Sequence, residues 1–255
     1  MKFILENLIG IVSITILTLN TIILSCLLIP LGLIKFFLPI TSIKVLFTKF
    51  IINIGELWIF TNKIWVKALH KPNWEIIGKE NIKSNGWTIA TSNHQSFADI
   101  FLLQDITNMK MPMLKFFMKY VLIYVPIIGL SWWALDMPFL KRYTKKQLEK
   151  NPKLVGKDVR EMKRALKHYS LYPVTVFSFA EGTRFTVKKH RNQNSPFDNL
   201  LKPKEGGLAT ALSLVNKIDS LIDFTIKFDS QKRSFWDYLC GRMNSAKIIL
   251  SLIHI

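Results

Sequence analysis

Asn93-His94-Gln95-Ser96-Phe97-Ala98-Asp99 separates a strand-like run, Trp87-Thr88-Ile89-Ala90-Thr91, from a helix expected over Phe97–Ile106. The stretch is therefore a strand-to-helix turn. His94 and Asp99 are five apart, which on a regular helix would set their side chains about 140° from each other. They can meet only if His94 lies before the helix. Thr91-Ser92-Asn93 leaves the strand, Ser96 is a suitable N-cap, and Asp99 then sits in the first turn, able to reach back. An imidazole held by a carboxylate is fixed in one tautomer and stabilised when it takes a proton, as a general base requires. The competing reading is a histidine that caps the helix beside an aspartate that favours its dipole. Ser96 is a poor nucleophile candidate, because it sits two residues from His94 in one tight turn and the chain has no GxSxG elbow.

Eighty-odd residues further on, the buried-strand pattern Pro173-Val174-Thr175-Val176-Phe177-Ser178-Phe179 runs into Glu181-Gly182-Thr183-Arg184. That is the strand end at which α/β folds place ligands. Gly182 allows a close backbone approach, and Arg184 offers a two-pronged fork for phosphate. Arg142, which closes Pro138-Phe139-Leu140-Lys141-Arg142, is a second candidate phosphate ligand. Lys188, Lys189 and Arg191 read as a solvated basic face.

Around these turns, short β-rich runs alternate with longer helical ones, without repeats or low-complexity linkers, so the fold class is α/β: a mixed sheet flanked by helices. Strands are expected at Trp74–Ile77, Trp87–Thr91, Trp133–Met137, Val174–Phe179, Ile222–Phe228 and Lys247–Ile253. Helices are expected at Phe97–Ile106, Gln147–Lys150, Lys157–Tyr169 and Glu205–Val215. Val159, Met162, Leu166 and Tyr169 recur at helical spacing and mark a core stripe. Met111–Trp133 is apolar but broken by Pro112, Pro126 and Gly129, and reads as a membrane-facing lid or rim, with ordinary buried core as the alternative.

The N-terminus is of another kind. Asn7–Ile34 carries no charge and exceeds the ~20 apolar residues a bilayer span needs, which predicts a transmembrane or membrane-anchoring helix over residues 1–40. Lys35 follows without a cleavage-site pattern, so a removed signal peptide is disfavoured. Lys35, Lys44 and Lys49 outnumber the preceding Lys2, placing the rest of the chain on the cytoplasmic side. Residues 41–71 read as an interfacial amphipathic segment, or else as a helix packed on the catalytic domain of residues 72–255. With 35 Lys and Arg against 17 Asp and Glu, the formal charge is +18, so the partner is an anionic lipid surface, an acidic substrate or a nucleic acid. No nucleic-acid reading motif is present. Cys26 and Cys240 stand alone, which excludes a disulfide framework or a zinc cluster.

Taken together these residues resemble the glycerolipid acyltransferase family, the 1-acyl-sn-glycerol-3-phosphate acyltransferases. Its Asn-His-x4-Asp motif is matched by Asn93, His94 and Asp99, its second motif by Lys115, Pro126, Gly129 and Phe139-Leu140-Lys141-Arg142, and its third by Glu181-Gly182-Thr183-Arg184. Trp133-Ala134-Leu135-Asp136-Met137-Pro138 and Phe179–Thr186 look most like the branch that holds bacterial inner-membrane members and lysocardiolipin acyltransferases. The resemblance implies a membrane enzyme, here of a bacterial inner membrane, that moves a fatty acyl group from acyl-CoA or acyl carrier protein to the hydroxyl of a lysophospholipid. The acceptor implied first is 1-acyl-sn-glycerol-3-phosphate, with lysocardiolipin or lysophosphatidylglycerol as the alternative. It implies His94 and Asp99 as catalytic residues, and Arg142, Glu181, Gly182, Thr183 and Arg184 as the glycerophosphate site. No metal and no cofactor are expected. Two departures stand out: Asp223-Phe224-Thr225-Ile226-Lys227 lacks the proline usual in the fourth motif, and the chain stops early relative to the branch, as a truncated and inactive lipid-binding paralogue would. An esterase with the same His-Asp pair is a further rival.

Overall fold

A computed structural model describes every residue except 83, 84, 142, 144, 155, 216 and 255, with the backbone alone at 145, 146, 148, 158, 165, 205, 207 and 254. The chain opens with helices α1 (Lys2–Phe37) and α2 (Thr41–His70), followed by β1 (Asn73–Ile77), β2 (Trp87–Ser92) and α3 (Ala98–Thr107). Then come β3 (Leu114–Phe116), β4 (Met118–Lys119), α4 (Ile128–Ala134), β5 (Phe139–Leu140), α5 (Lys145–Lys150) and α6 (Lys157–Leu166). The last part holds β6 (Thr175–Phe179), α7 (Val187–Gln193), α8 (Glu205–Leu214), β7 (Ile218–Phe228), α9 (Phe235–Leu239) and β8 (Ser245–His254).

The six-stranded sheet has the order β1-β8-β7-β2-β6-β3. β2 lies parallel to both β6 and β7, β3 is parallel to β6, and β8 turns antiparallel to β7 before pairing in parallel with β1. The sheet is mixed, as expected, and its strand alternation divides the core. Ala90, Phe177, Phe224 and Ile226 point to one face, where they meet Leu102, Leu103 and Ile106 of α3, Tyr238 of α9 and Trp65 of α2. Ile89 and Val176 point to the other and meet Met162 and Leu166 of α6 and Ala211 of α8. β2 is buried on both sides, and so is β6 over its first three residues, so neither strand alternates buried with exposed positions.

Helices α1 and α2 form a long antiparallel hairpin. α1 has 36 residues and spans about 54 Å at 1.5 Å per residue. It is the one helix among the described residues long and apolar enough to cross a membrane. Polar side chains spaced along its length are turned toward the protein. Near its start, Glu6 pairs with Arg242 at 2.8 Å and Asn7 accepts from the Trp236 indole N–H at 2.9 Å. In the middle, Ser13 meets His70 at 3.1 Å and the Asn20 amide donates to Asn62 at 2.9 Å. At its end, Lys35 pairs with Asp136 at 2.8 Å. Gly32 permits the closest helix contact, since a Cβ there would lie 2.5 Å from that of Ala134. The outer face is apolar and exposed, with Phe3, Leu8, Leu19, Ile23, Leu27 and Phe37. α2 shares both characters, burying Ile51, Gly55, Ile59 and Trp65 while exposing Phe50, Leu57, Phe60 and Ile64.

Three sequence expectations need correction. Trp133–Met137 is not a strand: its first residues end α4, and the chain then turns at Asp136 with φ +54. The Gly32–Ala134 contact holds that helix in place, so tertiary packing overrides a window that reads as strand. The lid expected over Met111–Trp133 is core in its first part, where Met111, Met113, Leu114, Lys115 and Phe116 are buried and β3 extends the sheet. Val121, Tyr124, Val125, Ile127 and Leu130 are exposed, as a rim requires. The helix expected over Lys157–Tyr169 ends as an α-helix at Leu166 and tightens into a 3-10 turn, Lys167–Ser170.

Candidate active site

β2 and β6 end side by side, and the two turns that leave them are fastened to each other. Ala180 N–H donates to the Ser92 carbonyl at 3.0 Å, and Phe185 N–H donates to the His94 carbonyl at 2.7 Å. On the other side the Asn93 carboxamide takes the place of a strand residue. Its Nδ2 donates to the Ile226 carbonyl and its Oδ1 accepts from the Ile226 N–H, both at 2.8 Å, which ties the turn to β7.

His94 stands before α3, as the five-residue spacing demands. Its Nδ1 lies 2.8 Å from Asp99 Oδ2, and that oxygen also accepts the N–H groups of Gln95 at 2.7 Å and Ser96 at 3.0 Å. Asp99 is fully buried. A carboxylate accepts, so Nδ1 carries the proton and the Nε2 lone pair is left without a partner among the described residues. The imidazole stacks on Phe179 of β6, with ring centroids 3.8 Å apart and planes 11° from parallel. Asp99 fixes the tautomer and Phe179 fixes the plane. Ser96 is not the N-cap; Phe97 is. The Ser96 hydroxyl donates instead to the Arg233 carbonyl at 2.8 Å, so it is turned from His94 and cannot serve as a nucleophile there.

Glu181 is placed differently from the sequence expectation. Its side chain is buried, with Oε1 accepting from the His94 N–H and Oε2 from the Leu201 N–H, each at 2.8 Å. Each oxygen accepts a backbone N–H, so Glu181 braces the His94 turn rather than standing free in a phosphate turn. Gly182 turns the chain with φ +64, a conformation in which a side chain is strained. Arg184 is exposed, and its guanidinium lies 4.0 Å from the centre of the Phe97 ring. Lys189, read from sequence as part of a solvated face, donates to Thr183 Oγ1 at 2.8 Å and to the Arg184 carbonyl at 2.9 Å. Arg142 lies outside the described residues. The structure thus brings His94, Asp99, Gly182, Thr183 and Arg184 together. Sequence reasoning missed Phe179, Phe97 and Lys189, for which the only signal was aromatic and basic residues close to the motifs.

Lys115 is fully buried, and its ammonium donates to the Leu135 carbonyl at 2.6 Å. Burial pushes its pKa down from 10.5 to about 8, against a smaller opposing pull from Asp136. The unfolded chain therefore holds this proton up to pH 10.5 while the folded chain releases it near pH 8. Stability is predicted to rise with pH across that window, by on the order of 3 kcal/mol from this group alone. Denaturant titrations at pH 8 and pH 10 check this, and the rise should vanish in Lys115→Met. Among the described residues no cluster of three or more His, Cys, Asp or Glu could hold a metal ion.

At the end of β2 and β6, His94 thus presents a free Nε2 and the neighbouring turn carries the exposed Arg184. The family model Acyltransferase matches residues 73–226, more than half of the chain, and the chain belongs to this glycerolipid acyltransferase family. Human 1-acyl-sn-glycerol-3-phosphate acyltransferase delta is 33% identical over 144 residues, covering 52% of this chain and 34% of that protein. Arabidopsis thaliana 1-acyl-sn-glycerol-3-phosphate acyltransferase 3 is 28% identical over 198 residues, covering 68% and 48%. The chain therefore spans about a third to a half of the length of these curated relatives. The crystal structure of the 1-acyl-sn-glycerophosphate (LPA) acyltransferase PlsC from Thermotoga maritima superposes with a TM-score of 0.55 at 17% identity, covering all of this chain and 87% of that one, and establishes the shared fold.

Proposed function

We propose that this chain is a membrane-attached lysophospholipid acyltransferase, with 1-acyl-sn-glycerol-3-phosphate as acceptor and acyl-CoA or acyl carrier protein as donor. The observation that carries the reading is the His94–Asp99 contact at 2.8 Å with Nε2 left free. In this mechanism Nε2 takes the proton of the glycerol hydroxyl as its oxygen attacks the thioester carbonyl. Asp99 stabilises the imidazolium that forms, and the proton then passes to the departing thiolate. Arg184 and the Thr183 hydroxyl bind the acceptor's phosphate, Gly182 lets it approach the backbone, and no acyl-enzyme is required.

The apolar outer faces of α1 and α2 attach the enzyme to the bilayer. Because α1 is docked to the domain near both of its ends, through Glu6 and Lys35, the hairpin is seated in the membrane with the domain beside it. The active site then faces the cytoplasmic side of a bacterial inner membrane, where both donors are found. Membranes carrying this chain are expected to move label from acyl-CoA into phosphatidic acid only when lysophosphatidic acid is supplied. Label released as free fatty acid without acceptor would replace this reading with an esterase.

A further inference from the structure

We propose that Phe97 and Lys189 form a clamp that positions Arg184, the ring supporting the face of its guanidinium and the ammonium anchoring its backbone. This rests on the reading of the Gly182-Thr183-Arg184 turn as a phosphate site and adds two residues to it. An exposed arginine on a surface turn has many rotamers, and a ring against its guanidinium selects among them. Here the guanidinium carbon lies 4.0 Å from the Phe97 ring centre. A cation stacked on a ring uses its face and keeps its edge, which holds the N–H donors, open to an anion. No side-chain hydrogen bond engages those donors among the described residues. The ring is itself set: Phe97 is the N-cap residue of α3, three positions after His94, and Phe235 of α9 meets it at 5.9 Å with planes at 65°.

Lys189 completes the arrangement from the other side. An ammonium has three donors and no acceptor, so its contacts to Thr183 Oγ1 and to the Arg184 carbonyl occupy lone pairs. The hydroxyl hydrogen of Thr183 stays available to donate to an anion. The Lys189 charge also adds to that of Arg184 at the same turn, which favours an acceptor bearing phosphate over a neutral one.

Steady-state kinetics on the full-length chain with varied lysophosphatidic acid tests the clamp. Phe97→Leu and Lys189→Met should each raise KM for this acceptor about fivefold to tenfold, the size of one lost cation contact, with kcat within about twofold. Phe97→Trp keeps a ring face and Lys189→Arg keeps a donor, so both should restore KM. Rates on monoacylglycerol, which lacks the phosphate, should be alike in all five proteins. An unchanged KM in both Phe97→Leu and Lys189→Met, or a fall in kcat at constant KM, would overturn the clamp. Binding of lysophosphatidic acid in a His94→Ala background separates this from the reaction. Weaker binding with Phe97→Leu supports the clamp even if the native chain transfers no acyl group, whereas normal transfer with undiminished binding removes it.

Discussion

The His94→Ala protein is expected to transfer acyl groups about 10²- to 10⁴-fold more slowly than the native chain, the range a positioned general base supplies. That corresponds to roughly 3–5 kcal/mol of lost barrier lowering. The loss is expected in kcat, because the proposed mechanism assigns the acceptor's phosphate to the Arg184 turn and not to the imidazole. The protein should stay folded. Both backbone contacts of residue 94, to Glu181 and to the Phe185 N–H, survive the substitution, and Asp99 Oδ2 keeps the N–H groups of Gln95 and Ser96. What disappears is the ring stacked on Phe179 and its free Nε2. Turnover within tenfold of native, measured with saturating lysophospholipid, would remove His94 from the mechanism.

Glu181→Ala should strongly destabilise the fold. It leaves the N–H groups of His94 and Leu201 without their acceptor in a buried setting, and hydrogen bonds to a charged group are worth about 1.5–3 kcal/mol each. A loss of about 3–5 kcal/mol takes a large part of a typical domain's total stability. Glu181→Gln keeps the shape but points an amide N–H₂ at one of the two donors, so about half of that loss is expected. Denaturant midpoints measure both. Because the brace ends on the His94 backbone, kcat should fall along with stability while KM for the acceptor holds. A raised KM with unaltered stability would restore Glu181 to the glycerophosphate site.

The parts of the site that were legible in the sequence are those fixed by local geometry. A five-residue spacing cannot close on a helix, so His94 had to precede α3. The buried run ending at Phe179 had to deliver Gly182 and Arg184 to the sheet's ligand end. The central strands were legible for the same reason, as continuous β-rich stretches. Long-range partners were not. Glu181 reads as a polar member of a phosphate turn until Leu201 is folded under it. Lys189 is one basic residue in a run until the first turn of α7 brings it back to Thr183 and the Arg184 carbonyl. β3 is only three residues long and contains Lys115, so no window of its own could mark it as the edge of the sheet. Trp133–Met137 misleads because Gly32, a hundred positions away, determines how Ala134 packs.

The docking of α1 also sets an order in time. Glu6 and Asn7 are made more than two hundred residues before Arg242 and Trp236, their partners. At ribosomal speeds of about 5–20 residues per second, that interval is roughly 10–50 s. α2 follows at once and covers one flank of α1, but the far end of the helix waits for α9. During synthesis the start of this apolar helix is therefore a membrane-seeking segment without its polar partners, and it is fastened to the domain only when α9 and Arg242 arrive.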